Sequence, residues 1–226
     1  MVLERNEGVR AGIVLALSLA TAAVLAFGPT ADSAATASTH GATTSAVGTK
    51  RAFHDAMRRL WSDHVTWTRL FIVSFAADLP DLPATTDRLL QNQTDIGDAI
   101  VPFYGRAAGD QLTALLRDHI LTAADLLQAA KSGDDAAFAE AHEAWYANAR
   151  EIARFLHDAN PRRWPLADLK SMMRDHLDLT LSEAAAQLGG DYEESVRLFD
   201  DVETEILHMA DMLSKGIIGQ FPQRFA

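Results

Sequence analysis

The chain has 226 residues, 48% of them apolar, with 20 Lys and Arg against 31 Asp and Glu and a formal net charge of −11. That apolar share supports a packed core and argues against wholesale disorder. The acidic excess, uninterrupted by any Lys/Arg cluster, repels phosphate backbones and predicts no nucleic-acid partner. With no cysteine, disulfides, iron–sulfur clusters, thiolate zinc sites, cysteine nucleophiles and CxxC redox pairs are excluded.

Residues 1–10 carry Glu4, Arg5, Glu7 and Arg10 and are expected to form a short cytoplasmic N-terminus. The uncharged run AGIVLALSLATAAVLAFG over 11–28 predicts an apolar helix acting as a signal anchor or a signal peptide. Its length is short for a bilayer span and long for a cleavable core, so both readings stand. Basic residues precede it and none follows before Lys50, which orients the N-terminus inside. Uncleaved, the segment makes the membrane a partner and holds the domain on the extracytoplasmic side of the cell membrane. Cleavage near Ser33-Ala34-Ala35 or Ala35-Thr36-Ala37 would release a secreted domain instead. Residues 29–50, rich in Ala, Ser, Thr and Gly, read as a flexible linker.

From there to residue 222, apolar residues recur at spacings of three and four, which predicts an all-α domain over 51–222. Six helices are expected at 51–78, 83–101, 107–131, 134–158, 165–188 and 191–216. They are separated by Leu79-Pro80-Asp81-Leu82-Pro83, Tyr104-Gly105, Ser132-Gly133-Asp134, Asn160-Pro161 and Gly189-Gly190-Asp191. Connections this short make neighbours antiparallel, so the expected architecture is an up-down antiparallel helical bundle.

Laid over one another, the segments predict three repeated helical hairpins. Their first helices contain Leu60-Trp61-Ser62-Asp63-His64, Leu115-Leu116-Arg117-Asp118-His119 and Met172-Met173-Arg174-Asp175-His176. The returning helices align at Ile96, Ile152 and Ile206, matching Asn92 with Asn148 and Val202, and Asp95 with Glu151 and Glu205. The stretches Asp63-His64-Val65-Thr66-Trp67-Thr68-Arg69, Asn148-Ala149-Arg150-Glu151-Ile152-Ala153, His208-Met209-Ala210-Asp211 and Gly219-Gln220-Phe221-Pro222 resemble a bacterial family of helical-bundle proteins. The resemblance covers nearly all of 56–222. It implies the same domain boundaries and no settled activity; the glycosyltransferase label some members carry has no Asp-x-Asp site or strand–helix alternation to support it here.

The helical stripes place polar residues where apolar ones are expected. Met57, Leu60, His64, Trp67 and Phe71 form one face of the first helix, and Leu112, Leu115, His119, Thr122 and Leu126 one face of the third. In the fifth, Leu169, Met172 or Met173, His176, Leu179 or Thr180, and Glu183 or Ala184 do the same. Asn92 and Asn148 occupy inward positions on the returning helices. His119 stands 14 residues before Gly133 and Asn148 15 after it, which puts the two at one height. His176, 14 before Gly190, is matched near Glu205, with His208 one turn on. If the odd-numbered helices run parallel, the three repeated imidazoles converge.

Buried polar groups cost about 1–3 kcal/mol each when unpaired, so they must satisfy one another or a ligand. The ligand reading is a transition metal, Zn, Cu, Fe or Ni, held by His64, His119, His176, Glu205 and His208. Asn92, Asn148, Asp63, Asp118, Asp175 and Glu151 would then orient those ligands or complete the polar layer. Haem on one of the histidines is the weaker variant, without a CxxCH. A di-iron carboxylate centre needs two Glu-x-x-His pairs, whereas the repeat equivalents of Glu205-x-x-His208 are Asp95-x-x-Asp98 and Glu151-x-x-Arg154. The competing readings are a non-catalytic structural or interaction protein with a buried polar network, and a metal-assisted enzyme with an open coordination position. No GxSxG, Walker loop, GxGxxG, HExxH or EF-hand loop occurs, and no general acid or nucleophile stands out.

Overall fold

The computed structural model describes residues 48–226. They form six helices, α1 (Lys50–Ala76), α2 (Leu82–Tyr104), α3 (Arg106–Ser132), α4 (Asp135–Ala159), α5 (Leu166–Gly189) and α6 (Tyr192–Gln220), followed by a 3-10 turn over Pro222–Arg224. The described residues contain no strand, so the all-α expectation holds for them. The cytoplasmic N-terminus, the apolar segment 11–28 and nearly all of the linker lie outside the described residues. Within the described residues, no helix is long and apolar enough to cross a membrane.

Side-chain caps explain where several helices begin. Thr49, Asp134 and Asp191 each accept a hydrogen bond from the backbone N–H three residues on, satisfying a donor that the first helical turn leaves open. The α3–α4 and α5–α6 turns share one design, in which a left-handed glycine, Gly133 (φ 68°) or Gly190 (φ 78°), ends one helix and the next residue caps the following one. Helix α2 outruns its expected end at 101 and passes through Pro102. One missing donor does not stop it, because Gly105 N–H still reaches the Val101 carbonyl at 2.9 Å.

Each helix packs on its neighbours in sequence, α6 returns to α1 to close a ring, and α1 also touches α5. The closing seam carries polar contacts: Arg58 Nη1 lies 2.7 Å and His54 Nε2 2.9 Å from Asp211 Oδ1, and Ser62 donates to Glu203 at 3.1 Å. Helices α2 and α3 meet backbone to backbone at Gly97 and Gly109. A Cβ on Gly97 would stand 2.6 Å from the Gly109 carbonyl oxygen, and one on Gly109 would stand 2.8 Å from that of Gly97. The α4–α5 connection is anchored by buried Trp164, whose Nε1–H donates to the Met212 carbonyl at 3.3 Å, and by Asn160, which donates to Gly216 O at 3.1 Å.

The apolar interior is in two parts. The larger contains Phe53, Met57, Trp61 and Val65 of α1, Ile96 and Ile100 of α2, Leu112 and Leu116 of α3, and Leu169, Met173 and Leu177 of α5, together with most inward residues of α4 and α6. The smaller consists of Phe71, Ile72, Leu89, Ile120, Leu127 and Ala184. On α1, α2 and α5 the boundary between them falls close to His64, to Asn92 and Gln93, and to His176, whereas on α3 Leu126 of the larger part lies beyond His119; all these polar residues are buried.

The glycine crossing generates a stability prediction. Gly97→Ala should lower the urea-unfolding free energy by about 1–3 kcal/mol, because two backbones must separate. Gly189→Ala, whose Cβ meets nothing within 4 Å, should leave it unchanged or raise it by up to about 1 kcal/mol.

Candidate functional site

His64, His119 and His176 come from three helices and meet inside the ring at relative exposures of 3%, 3% and 5%. The His64 and His176 rings lie 5.9 Å apart between centroids, and the His119 and His176 rings 6.3 Å. Trp61 stands edge-on to His64 at 5.8 Å, and Trp145 lies 5.4 Å from His119. A continuous file of five aromatic rings, Trp61, His64, His176, His119 and Trp145, therefore crosses the bundle from α1 through α5 and α3 to α4.

The returning helices lock this file in place. Asn148 Nδ2 donates to the Leu115 carbonyl at 3.0 Å, and Asn92 Nδ2 donates to the Leu60 carbonyl at 3.0 Å. Each acceptor lies four residues before a layer histidine, so the two hairpins use the same contact. Because the Asn148 amide nitrogen faces Leu115, its Oδ1 must face His119 Nδ1, 2.9 Å away, and accept from it. That bond fixes the tautomer: Nδ1 carries the proton and Nε2 keeps its lone pair. In the first hairpin, Asn92 Oδ1 instead accepts from Gln93 Nε2 at 3.2 Å, and that nitrogen also donates to the Leu89 carbonyl at 2.8 Å. In the third, Val202 replaces the carboxamide, and His176 Nδ1 faces Glu205 Oε2 at 3.4 Å without hydrogen-bond alignment.

Eight buried polar atoms in and around the layer have no hydrogen-bond partner: His64 Nδ1, His176 Nδ1, Trp61 Nε1, Trp145 Nε1, Gln93 Oε1, Thr180 Oγ1 and both Glu205 carboxylate oxygens. At about 1–3 kcal/mol each when left unpaired, they weigh heavily against a typical stability of roughly 5–15 kcal/mol. Burial holds His64 well below its ordinary value, with the neighbouring His176 and His119 rings adding to the effect and Gln93 and Asn92 partly offsetting it. Burial likewise pushes His119 down to about 3, aided by His176 and opposed by Asn148. Both imidazoles are neutral at pH 7.

Several expected members stand elsewhere. His208 is exposed and lines a surface groove with Arg162, Arg163, Asp211 and Lys215. With Val202, Ile206, Met209 and Leu213 facing inward, Glu205 sits at the edge of the buried stripe and His208 falls about 60° farther round. Asp118 and Asp175 are exposed, and Asp63 is half-exposed 3.8 Å from Arg88 Nη2, because the residue before an inward histidine is rotated by about 100°. Glu151, exposed one residue before buried Ile152, follows the same geometry.

The structure adds groups outside the expected site and chooses between alternatives that spacing left open. Trp61, Trp145 and Gln93 join the layer or its wall, as does Thr180, one of two inward candidates on the fifth helix. Glu183, two turns beyond His176, pairs at 2.5 Å with Arg69 Nη1, which also donates to Ser195 O and Oγ at 3.2 and 3.1 Å. Burial raises the Glu183 carboxyl, and Arg69 pulls it back. The i, i+7 spacing of His176 and Glu183 was visible in the sequence, whereas a partner 114 residues away was not.

As the side chains stand, no three His, Asp or Glu groups among the described residues are arranged to hold a metal ion. Compared with known proteins, the chain matches no family description, no curated protein and no solved structure.

The depressed histidines set a pH dependence. Above pH 6.5 they are neutral folded and unfolded, so their full contribution is present. As pH falls below 6.5 the unfolded chain takes up protons that the folded chain refuses, and stability drops by up to about 1.4 kcal/mol per pH unit for each histidine. Glu183, raised by burial, works in the opposite sense below its folded value, and the lowered carboxyls Glu194 and Asp211 lose stability only below 4.5 and 3.8. Urea titrations of metal-stripped protein between pH 7 and pH 5 should show a steep fall. His64→Leu, which removes an unpartnered nitrogen, should flatten that slope while changing stability at pH 7 by less than about 1.5 kcal/mol.

Proposed function

We propose that the buried layer binds a first-row transition-metal ion through His64, His119 and His176, with Glu205 supplying the negative charge, and that the chain is a metal-handling module. The observation carrying this reading is the meeting of three sealed imidazoles among polar atoms that no protein group satisfies. Neutral imidazole is the form that ligates. His119 is pre-set for it, because Asn148 holds the proton on Nδ1 and leaves Nε2 free, the usual outer arrangement around a metal-bound histidine. Imidazoles sharing one tetrahedral ion at 2.0–2.1 Å have centroids about 5 Å apart. The His64–His176 and His119–His176 pairs, at 5.9 and 6.3 Å, are each about an ångström wider than that. Haem has less support, since the chain has no cysteine and therefore no CxxCH attachment motif.

The same reading treats the three hairpins as copies of one unit in an up-down antiparallel bundle. It places the domain outside the cytoplasm, tethered to the membrane by 11–28 or released after cleavage. A second reading has a specific observation behind it: Asn92 and Asn148 tie the layer to the backbones of α1 and α3 at equivalent carbonyls, which suits a network that fixes helix register.

Thermal unfolding of metal-stripped full-length protein separates the two readings. A specific metal site should raise Tm with one or more of Zn, Cu, Fe, Ni and Mn, with one ion per chain retained after desalting. In His119→Ala the metal-dependent increment should vanish. If His119→Ala lowers Tm equally with and without every metal, the layer is a structural network and the metal reading is wrong.

A further inference from the structure

The smaller part of the core is hollow. A cavity of about 30 Å³ is walled by all six of its buried residues, Phe71, Ile72, Leu89, Ile120, Leu127 and Ala184. Side chains from α1, α2, α3, α4 and α5 thus surround a space that they do not fill. Four wall positions hold small groups, Thr68, Ala123, Thr180 and Ala184, where Leu or Ile on the same helix faces would close the gap. A void forfeits the dispersion contacts that a filled core supplies. The volume exceeds what one water centre needs, but water also requires two to four polar partners, and this lining is almost wholly hydrocarbon.

Thr68 Oγ1, in the wall, donates to the His64 carbonyl four residues back at 2.8 Å, whereas Thr180, four residues after His176, makes no such bond although it is buried. Trp145, also in the wall, has its ring 5.4 Å from that of His119. The Thr180 hydroxyl and the Trp145 indole N–H are covered on the chamber side as well, so the surface offered to an occupant is hydrocarbon.

From this cavity we infer that the protein binds a small apolar molecule of diatomic size, of the class of dioxygen, beside the histidine layer. The chamber selects by volume and by its hydrocarbon lining, which offers water no partners. The site does not depend on metal in the layer, so the two proposals can fail separately.

Xenon, an inert probe for dry cavities of this kind, provides the test on the full chain without metal. In methyl NMR spectra, rising xenon pressure should produce saturating shifts confined to the lining methyls, among them those of Ile72, Leu89, Ile120, Leu126 and Leu127. Ala184→Leu should abolish them, with Ala123→Val as the alternative filling variant if the first does not fold. Under dioxygen the same methyls should show a relaxation enhancement that the filling variant loses. Shifts that never saturate, or that persist unchanged in a folded filling variant, would overturn the cavity site. Relaxation enhancement by dioxygen equal in the filling variant and wild type would overturn the ligand class.

Discussion

Burying three imidazoles side by side at one level is the constraint around which the described domain is organised. Stripped of water and set beside other imidazoles, His64 and His119 are admitted only as neutral groups. Neutral rings still carry a donor and an acceptor each, and the surrounding helices must answer them. Asn148 does so completely for His119 Nδ1, the carboxamides of α2 approach His64 without bonding its Nδ1, and Glu205 stops short of His176. These polar groups lie close to the border between the two apolar parts on α1, α2 and α5, while Leu126 of α3 carries the larger part past His119.

The division has consequences on both sides. The larger apolar part contains the ends of α1 and α2 together with the C-terminal aromatic residues, where Phe53, Phe103, Phe221 and Phe225 pack on one another. It is the natural source of most of the folding energy, since buried apolar area dominates stability. The smaller part has few side chains and includes the cavity. An unfilled core thus stands next to a layer with unpartnered polar groups, and packing compromises of that sort commonly accompany binding.

Much of this was legible in the order of residues. The helix boundaries followed from Gly133-Asp134 and Gly190-Asp191, where a left-handed glycine and a capping aspartate are adjacent. The inward placement of His64, His119 and His176 followed from three-and-four spacing, and the contact between His119 and Asn148 from counting residues on either side of a turn. The same counting brought Glu205 to His176 but failed for His208. A height match says nothing about azimuth, and the three-residue step from Glu205 carries the side chain past the edge of the buried stripe. The Asp-His dipeptides misled for a related reason: the aspartates recur with the histidines but face away from them.

The sequence by itself determined the helices, their turns and the inward faces, because these depend on φ preferences, caps and a periodicity of 3.6 residues, all local quantities. Only the tertiary structure decided that the ring closes between α6 and α1, that two tryptophans flank the imidazole file, that Arg69 meets Glu183 and that α2 and α3 touch at glycines. Those outcomes depend on how six rods rotate and translate against one another, a collective packing problem that no single helix encodes. The cavity belongs to the same class, since a void is a property of the fit among five helices and leaves no mark on any one of them.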